Sequence, residues 1–201
     1  MKNPGLLIVI SGPSGAGKGT VYNRVLEIDP SIQKSVSVTT RLPREGERDG
    51  VHYHFKTLNE YQQMIANGAF LETASVYSNY YGTPKAAVME QIDDGKDVMF
   101  EIDTHGARQI KSRYPQSVLI FLMTHDLETL RDRLIKRGTE TAASLKTRLG
   151  SAKNELAQYP LFDYIVFNDT VEQAALDVLG IITAEKSRVG RNETAIKKML
   201  L

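Results

Sequence analysis

Leu6-Leu7-Ile8-Val9-Ile10 runs without a break into Ser11-Gly12-Pro13-Ser14-Gly15-Ala16-Gly17-Lys18-Gly19-Thr20. A continuous apolar run rich in branched residues reads as a strand covered on both faces, the kind found inside parallel sheets. The segment from about Lys18 to Ile28 reads as a helix, so the glycine-rich stretch is the turn from a buried strand into a helix N-terminus. In that setting G-x-x-x-x-G-K is a phosphate loop, whose backbone N–H groups surround a polyphosphate while Lys18 reaches its terminal oxygens. The glycines let the backbone approach closely and adopt positive φ. The helix that starts at Lys18 adds its dipole and free N–H groups to the same anion. At about 7% glycine, the bare pattern arises by chance in roughly one chain in twenty of this length. Its position between strand and helix is what gives it weight.

One departure bears on the metal. Gly19 stands where the general pattern has Ser or Thr, and Thr20 follows one residue later. Residue 19 offers magnesium no hydroxyl, which leaves Thr20, water and the substrate phosphates to hold it. Glu101 and Asp103 end the apolar segment Val98-Met99-Phe100-Glu101-Ile102-Asp103, where ligands bind in parallel sheets. They are expected to face opposite sides, with Asp103 the second metal-side candidate.

Working outward, apolar segments at Asp97 to Ile102, Val118 to Met123 and Tyr164 to Phe167 alternate with helical stretches at Pro84 to Asp94, Thr104 to Tyr114 and Asp126 to Arg137. That order is βαβ, and it predicts an α/β fold, a P-loop-type parallel sheet flanked by helices. The segment 37–83 breaks the rhythm. It is rich in Arg, Gly and Tyr, and its short strands at Val51 to Phe55 and Phe70 to Val76 flank one helix from about Thr57 to Asn67. It reads as an inserted subdomain. Residues 131–158 read as a helical lid, with a turn at Gly138 and a second helix marked by Leu145, Leu149, Ala152 and Leu156. The core is expected to be 1–36, 84–130 and 159–201, and the tail after Lys186 is basic and helical in pattern.

Composition narrows the classes. The 201 residues are 41% hydrophobic and 24% charged, which excludes collagen-like and wholly disordered chains and is enough for one core carrying a small insertion. A balance of 25 Lys and Arg against 24 Asp and Glu gives no global reason to bind nucleic acid or an anionic membrane. Any anion site must be local. The absence of cysteine removes disulfides and thiolate chemistry and fits a reducing cytoplasm. The early apolar run is too short for a secretory core or a membrane span. Nothing decides between monomer and homo-oligomer.

A second anion site is suggested by Thr39-Thr40-Arg41-Leu42-Pro43-Arg44-Glu45-Gly46-Glu47-Arg48-Asp49-Gly50, which places several guanidinium forks in a turn-rich loop. His52 and His54 point the same way if they share a strand, but no third metal ligand accompanies them. Asp103-Thr104-His105-Gly106 also fits the D-x-x-G of GTP-hydrolysing switches. No N-K-x-D occurs anywhere to read a guanine in the triphosphate site, so that reading is weak.

Taken together, the phosphate loop, Ser37-Val38-Thr39-Thr40-Arg41-Leu42-Pro43-Arg44, Glu47, Gly50, Tyr53-His54-Phe55, Asn79-Tyr80-Tyr81-Gly82, Glu101-Ile102-Asp103, Arg137-Gly138-Thr139 and Asn168-Asp169 occur in the order seen in guanylate kinases. The chain resembles that family from about Leu6 to Lys186. The resemblance implies transfer of the γ-phosphate of ATP to GMP, and to dGMP, with Mg2+. It assigns ATP to Gly12, Pro13, Ser14, Gly15, Ala16, Gly17, Lys18, Gly19 and Thr20, with Asn168 on the adenine side. It assigns the GMP phosphate to Arg41, Arg44, Tyr53 and Tyr81, and the guanine to Ser37, Glu72 and Thr83, with Glu101 nearby. The lid arginines it implies are Arg133, Arg137 and Arg148, which with Lys18 and Arg41 make the catalytic set. Two alternatives stand beside this: a kinase for another nucleoside monophosphate, and the inactive peptide-binding scaffold modules that resemble these enzymes.

Overall fold

The computed structural model describes residues 3–76, 78–136, 150 and 152–200. Strand β1 (Leu7–Ser11) is wholly buried and lies at the centre of a five-stranded sheet. The other strands of that sheet are β2 (Gln33–Lys34), β7 (Val98–Glu101), β8 (Val118–Met123) and β9 (Tyr164–Phe167), in the order β2-β7-β1-β8-β9 with every pairing parallel. The alternation of a strand covered on both faces is visible in β1 itself. Ile8 and Ile10 face a cluster with Val21, Val25 and Val178, from α1 (Lys18–Ile28) and α6 (Val171–Lys186). Leu7 and Val9 face the opposite cluster with Val88, Ile92, Ala107 and Ile110, from α3 (Lys85–Asp93) and α4 (Thr104–Arg113). Each completely buried aliphatic side chain contributes about 1.5–3 kcal/mol over exposure. The expected parallel sheet flanked by helices is therefore present.

A second, four-stranded sheet is built from β3 (Val38–Thr39), β4 (His54–Phe55), β5 (Phe70–Val76) and β6 (Asn79–Pro84), in the order β4-β3-β6-β5. Helix α2 (Leu58–Ala66) covers it, with Tyr61 packed on Phe70 and Val38. Its start is fixed locally by a capping box, Thr57 accepting from the Glu60 N–H while Glu60 reaches back to the Thr57 N–H. The strand expected over Val51 to Phe55 is shorter than its sequence suggested. Gly50 has φ 72°, and the N–H groups of Val51 and His52 both bond the Arg48 carbonyl, so the chain turns until His54. His52 accordingly sits in that turn, its Nδ1 accepting from the Arg48 N–H, and does not share a strand with His54.

Helix α5 (Leu127–Lys136) follows β8, helical residues 152–156 precede the 3-10 turn Tyr159–Leu161, and α7 (Val189–Met199) forms the basic tail. Arg137, Gly138, Leu145, Arg148 and Leu149 lie outside the described residues. Among the described residues, no helix is long and apolar enough to cross a membrane.

Candidate active site

The loop between β1 and α1 sits at the carboxyl end of the central strand, the position parallel sheets use for ligands. Two of its glycines are dictated by geometry. At Gly12 (φ 145°) a Cβ would stand 2.0 Å from the Leu122 carbonyl, and at Gly17 (φ 89°) it would stand 2.4 Å from Asn168 Nδ2. Lys18 folds over the turn, its Nζ donating to the Gly12 carbonyl at 2.7 Å and to that of Pro13 at 3.2 Å. Gly19 faces Glu101, since a Cβ there would come 3.2 Å from Glu101 Oε2. Thr20, the alternative hydroxyl, is exposed on the first turn of α1.

Three side chains from distant elements clasp this loop. Asn168, buried after β9, donates from Nδ2 to the Ala16 carbonyl at 2.8 Å. Arg133 on α5 donates from Nη2 to the Asn168 carbonyl at 2.8 Å and from Nη1 to that of Ala16 at 3.4 Å. Glu155 accepts from the Ser14 N–H at 2.9 Å. Sequence reading did not single out Glu155, because a glutamate on an exposed-looking helix carries no local signal.

A cleft of about 280 Å³ opens from Lys18 and is lined by Ser37, Tyr53, Glu72, Ala74, Tyr81, Glu101, Ile102 and Asp103. Glu101 and Asp103 do not face opposite sides: residues two apart along a strand share a face, and where β7 ends at Glu101 the chain keeps Asp103 on the same cleft, its Oδ1 capping α4 by accepting from the Gly106 N–H at 2.7 Å. A neighbouring hollow of about 290 Å³ shares Ser37, Tyr53, Glu101 and Ile102 and extends to Tyr22, Lys34, Glu47 and His52.

At the far end of the cleft Glu72 is 3% exposed, and its Oε1 accepts from Thr83 Oγ1 at 2.7 Å. Burial pushes its carboxyl above the ordinary range and the nearby Asp103 adds to the rise, while the Thr83 hydrogen bond opposes it. Along the cleft wall the rings of Tyr53 and Tyr81 meet edge to face with centroids 6.0 Å apart. Arg41 lies 5.4 Å from the centre of the Tyr53 ring, its fork bonded bidentately to Glu47 at 2.9 and 2.8 Å. That pairing and the Arg44 N–H hold the Glu47 carboxyl down at about 2. Arg44 itself is exposed and lies outside the cleft lining. The structure thus brings Lys18, Ser37, Tyr53, Glu72, Tyr81, Thr83 and Glu101 together, keeps Arg41 at the rim behind Tyr53, and leaves Arg44 on its loop.

Among the described residues, no group of three or more His, Cys, Asp or Glu is placed to hold a metal ion. The arrangement is an anion cradle at one end and a buried acceptor at the other, with cationic and hydroxyl groups between them. The family model described as "Guanylate kinase" matches residues 5–185. A guanylate kinase of Clostridioides difficile is 47% identical over 192 residues, covering 96% of this chain and 94% of its own. One from Bacillus subtilis is 46% identical, covering 100% and 98%. The crystal structure of guanylate kinase from Anaplasma phagocytophilum superposes with a TM-score of 0.76 at 32% identity, covering 95% of this chain and 91% of that one.

Proposed function

The chain belongs to the guanylate kinase family and is a phosphotransferase acting on GMP, and we propose that the cleft between Lys18 and Glu72 is where the γ-phosphate of ATP passes to GMP, giving ADP and GDP. One observation carries the assignment of the site: a phosphate-loop lysine and a buried carboxylate line the same cleft. Guanine presents N1–H and an exocyclic amine side by side, both of which an ionised Glu72 accepts. Adenine would set an unprotonated N1 against that charge, so discrimination comes from a repulsive, unpaired alternative. The base edge of dGMP is the same, and it is proposed as a second acceptor substrate.

Tyr53 and Tyr81, with Arg41 braced behind them, are proposed to hold the GMP phosphate, and Arg44 to join them by closure of its loop. On the donor side, the backbone N–H groups of Ser14 to Thr20 receive the ATP phosphates. Among the described residues Asn168 Oδ1 is buried with no hydrogen-bond partner, an acceptor that suits the exocyclic amine of adenine.

Phosphoryl transfer asks little covalent chemistry of a protein. Lys18, Arg41 and Arg133 need to align donor and acceptor and offset charge on the transferring group, with Arg137 and Arg148 proposed to complete the set. Magnesium, bound with ATP, supplies further charge neutralisation at the phosphates. The oxygen donors at the cleft suit so hard a cation, Asp103 and Glu101 lining it beside Lys18 and Thr20 standing on the first turn of α1. We place the reaction in the cytoplasm, in keeping with a cysteine-free chain.

A coupled assay of ADP production with ATP and GMP, dGMP, AMP or UMP tests the reading. GMP and dGMP should turn over far faster than the others. Equal rates with AMP would remove Glu72 from the base pocket.

A further inference from the structure

Glu72 owes its direction to an irregularity in β5. The β5–β6 register shifts there, Phe70 opposite Pro84 and Glu72 opposite Thr83, so Leu71 is an extra residue on β5. Three consecutive side chains consequently go three ways. Phe70 enters the small core with Val38 and Tyr61, Leu71 the main core with Ile92 and Val98, and Glu72 the cleft. A bulge of this kind re-aims a side chain at the cost of unpaired backbone groups. The cost is sharper here because β5 is the edge strand of its sheet.

Helix α4 supplies the missing partners. Arg113 Nη1 donates to the carbonyls of Phe70 and Leu71 at 3.1 and 2.7 Å, the two that flank the register shift. Gln109, one turn earlier, accepts from the Thr73 N–H at 3.1 Å and donates to the Thr73 carbonyl at 2.8 Å, as a neighbouring strand would. Four apart on the helix, the two residues share a face and bracket Glu72 from both sides. A further turn back, a Cβ on Gly106 would stand 3.0 Å from Glu72 Oε2, and Asp103 caps the helix at the cleft. Because α4 follows β7, which pairs with β1, one helix spans from the phosphate end of the cleft to its base end.

We propose that Arg113 and Gln109 are positioning residues for base recognition, holding the bulge, and with it the Glu72 carboxylate, at a fixed offset from the phosphate loop. Neither lines the cleft, so they act through Glu72. The inference rests on the reading of Glu72 as the guanine acceptor.

The test compares GMP with inosine monophosphate, whose base keeps N1–H but lacks the exocyclic amine, in steady-state assays of Arg113→Met, Gln109→Met, Glu72→Gln and each Met variant combined with Glu72→Gln. Losing one or two net hydrogen bonds should raise the KM for GMP roughly three- to thirtyfold. The ratio of kcat/KM for GMP over inosine monophosphate should fall toward that of Glu72→Gln, with the KM for ATP and the saturated kcat within roughly twofold of the parent. In the Glu72→Gln background the added substitutions should leave the ratio unchanged, because effects routed through one carboxylate do not add. Thermal melts run alongside separate general destabilisation, which does not alter a ratio between two bases. A ratio lowered by Glu72→Gln and unmoved by either Met variant overturns the brace alone, as do additive drops in the double variants. A parental ratio in Glu72→Gln itself overturns the base-pocket reading and the brace with it.

Discussion

The carboxylate of Glu155 sits on the phosphate loop, its Oε2 accepting a 2.9 Å hydrogen bond from the backbone N–H of Ser14. A negative side chain therefore already occupies one donor of the turn that is proposed to receive a polyphosphate. Glu155→Gln keeps an oxygen acceptor for that N–H and removes the charge. Relieving a like-charge contact near the surface is worth about 0.5–1 kcal/mol, so the Kd for ATP should fall roughly two- to fivefold. Calorimetric titration decides it, and weaker ATP binding in the variant would mean that the carboxylate serves solely to hold the loop in shape.

Lys18 is bonded to the carbonyls of Gly12 and Pro13, so its ammonium is pre-set over the turn before any nucleotide arrives. Charge placed in advance where negative charge develops is worth more than charge recruited during the reaction. Lys18→Ala should lower kcat by roughly 10² or more. Single-turnover measurement at saturating ATP and GMP isolates that loss from binding, and preserved turnover would rule out contact with the transferring phosphate.

Glu72 ties base recognition to pH. Burial raises its carboxyl, and the protonated form can no longer accept both guanine donors. The KM for GMP should climb as pH falls through that raised value. The phosphate of GMP also titrates near pH 6, but Glu72→Gln retains that effect, so the difference between the two pH profiles isolates the carboxylate. At neutral pH the substitution should cost about 1.5–3 kcal/mol of guanine recognition. Stability moves the opposite way. A raised native pKa means the folded state binds the proton more tightly than the unfolded chain. Its contribution is therefore complete below the ordinary glutamate value and lost as pH rises through the native one. Ligand-free Glu72→Gln should melt above the parent at alkaline pH, by a margin that shrinks on acidification. Parallel pH profiles for the two proteins would place Glu72 away from the base.

The parts of this molecule that announce themselves in sequence are those whose signal is local. Leu6 to Lys18 gives a buried strand, a glycine turn and a helix start within one short window, and all three are present. Strands β2 and β3 have two residues each, too few for any periodicity, and β6 reads Asn-Tyr-Tyr-Gly-Thr-Pro, closer to a turn than a strand. They exist because β7 offers an edge to β2, β5 one to β6, and β6 in turn one to β3, information held elsewhere in the chain. The cleft shows the same division. Arg41, Tyr53 and Tyr81 sit in recognisable motifs, whereas Glu155, Gln109 and Arg113 reach their targets across 141, 36 and 42–43 residues. On their own helices they look like solvated polar positions. Glu101 and Asp103 were expected to diverge, but residues two apart along a strand lie on one face, and both line the cleft where β7 ends and α4 begins.

Gly17 brings backbone and site into one position. Its φ of 89° belongs to the left-handed region, and the space a methyl would take is held by Asn168 Nδ2 at 2.4 Å. An alanine there meets two penalties, about 1–2 kcal/mol for the backbone and displacement of an amide that already bonds the Ala16 carbonyl. Arg133, which bonds the Asn168 backbone carbonyl and reaches the Ala16 carbonyl, would be dislodged with it. The damage is confined to the donor end, because Glu72, Thr83 and Tyr81 hang on the second sheet and, among the described residues, share no hydrogen bond with this cluster. Gly17→Ala should therefore weaken ATP binding at least tenfold while GMP still binds with near-parental affinity. Calorimetric titrations with each nucleotide separately would show the split, and equal losses for both would mean that the phosphate loop and the base pocket are coupled more tightly than their separate supports allow.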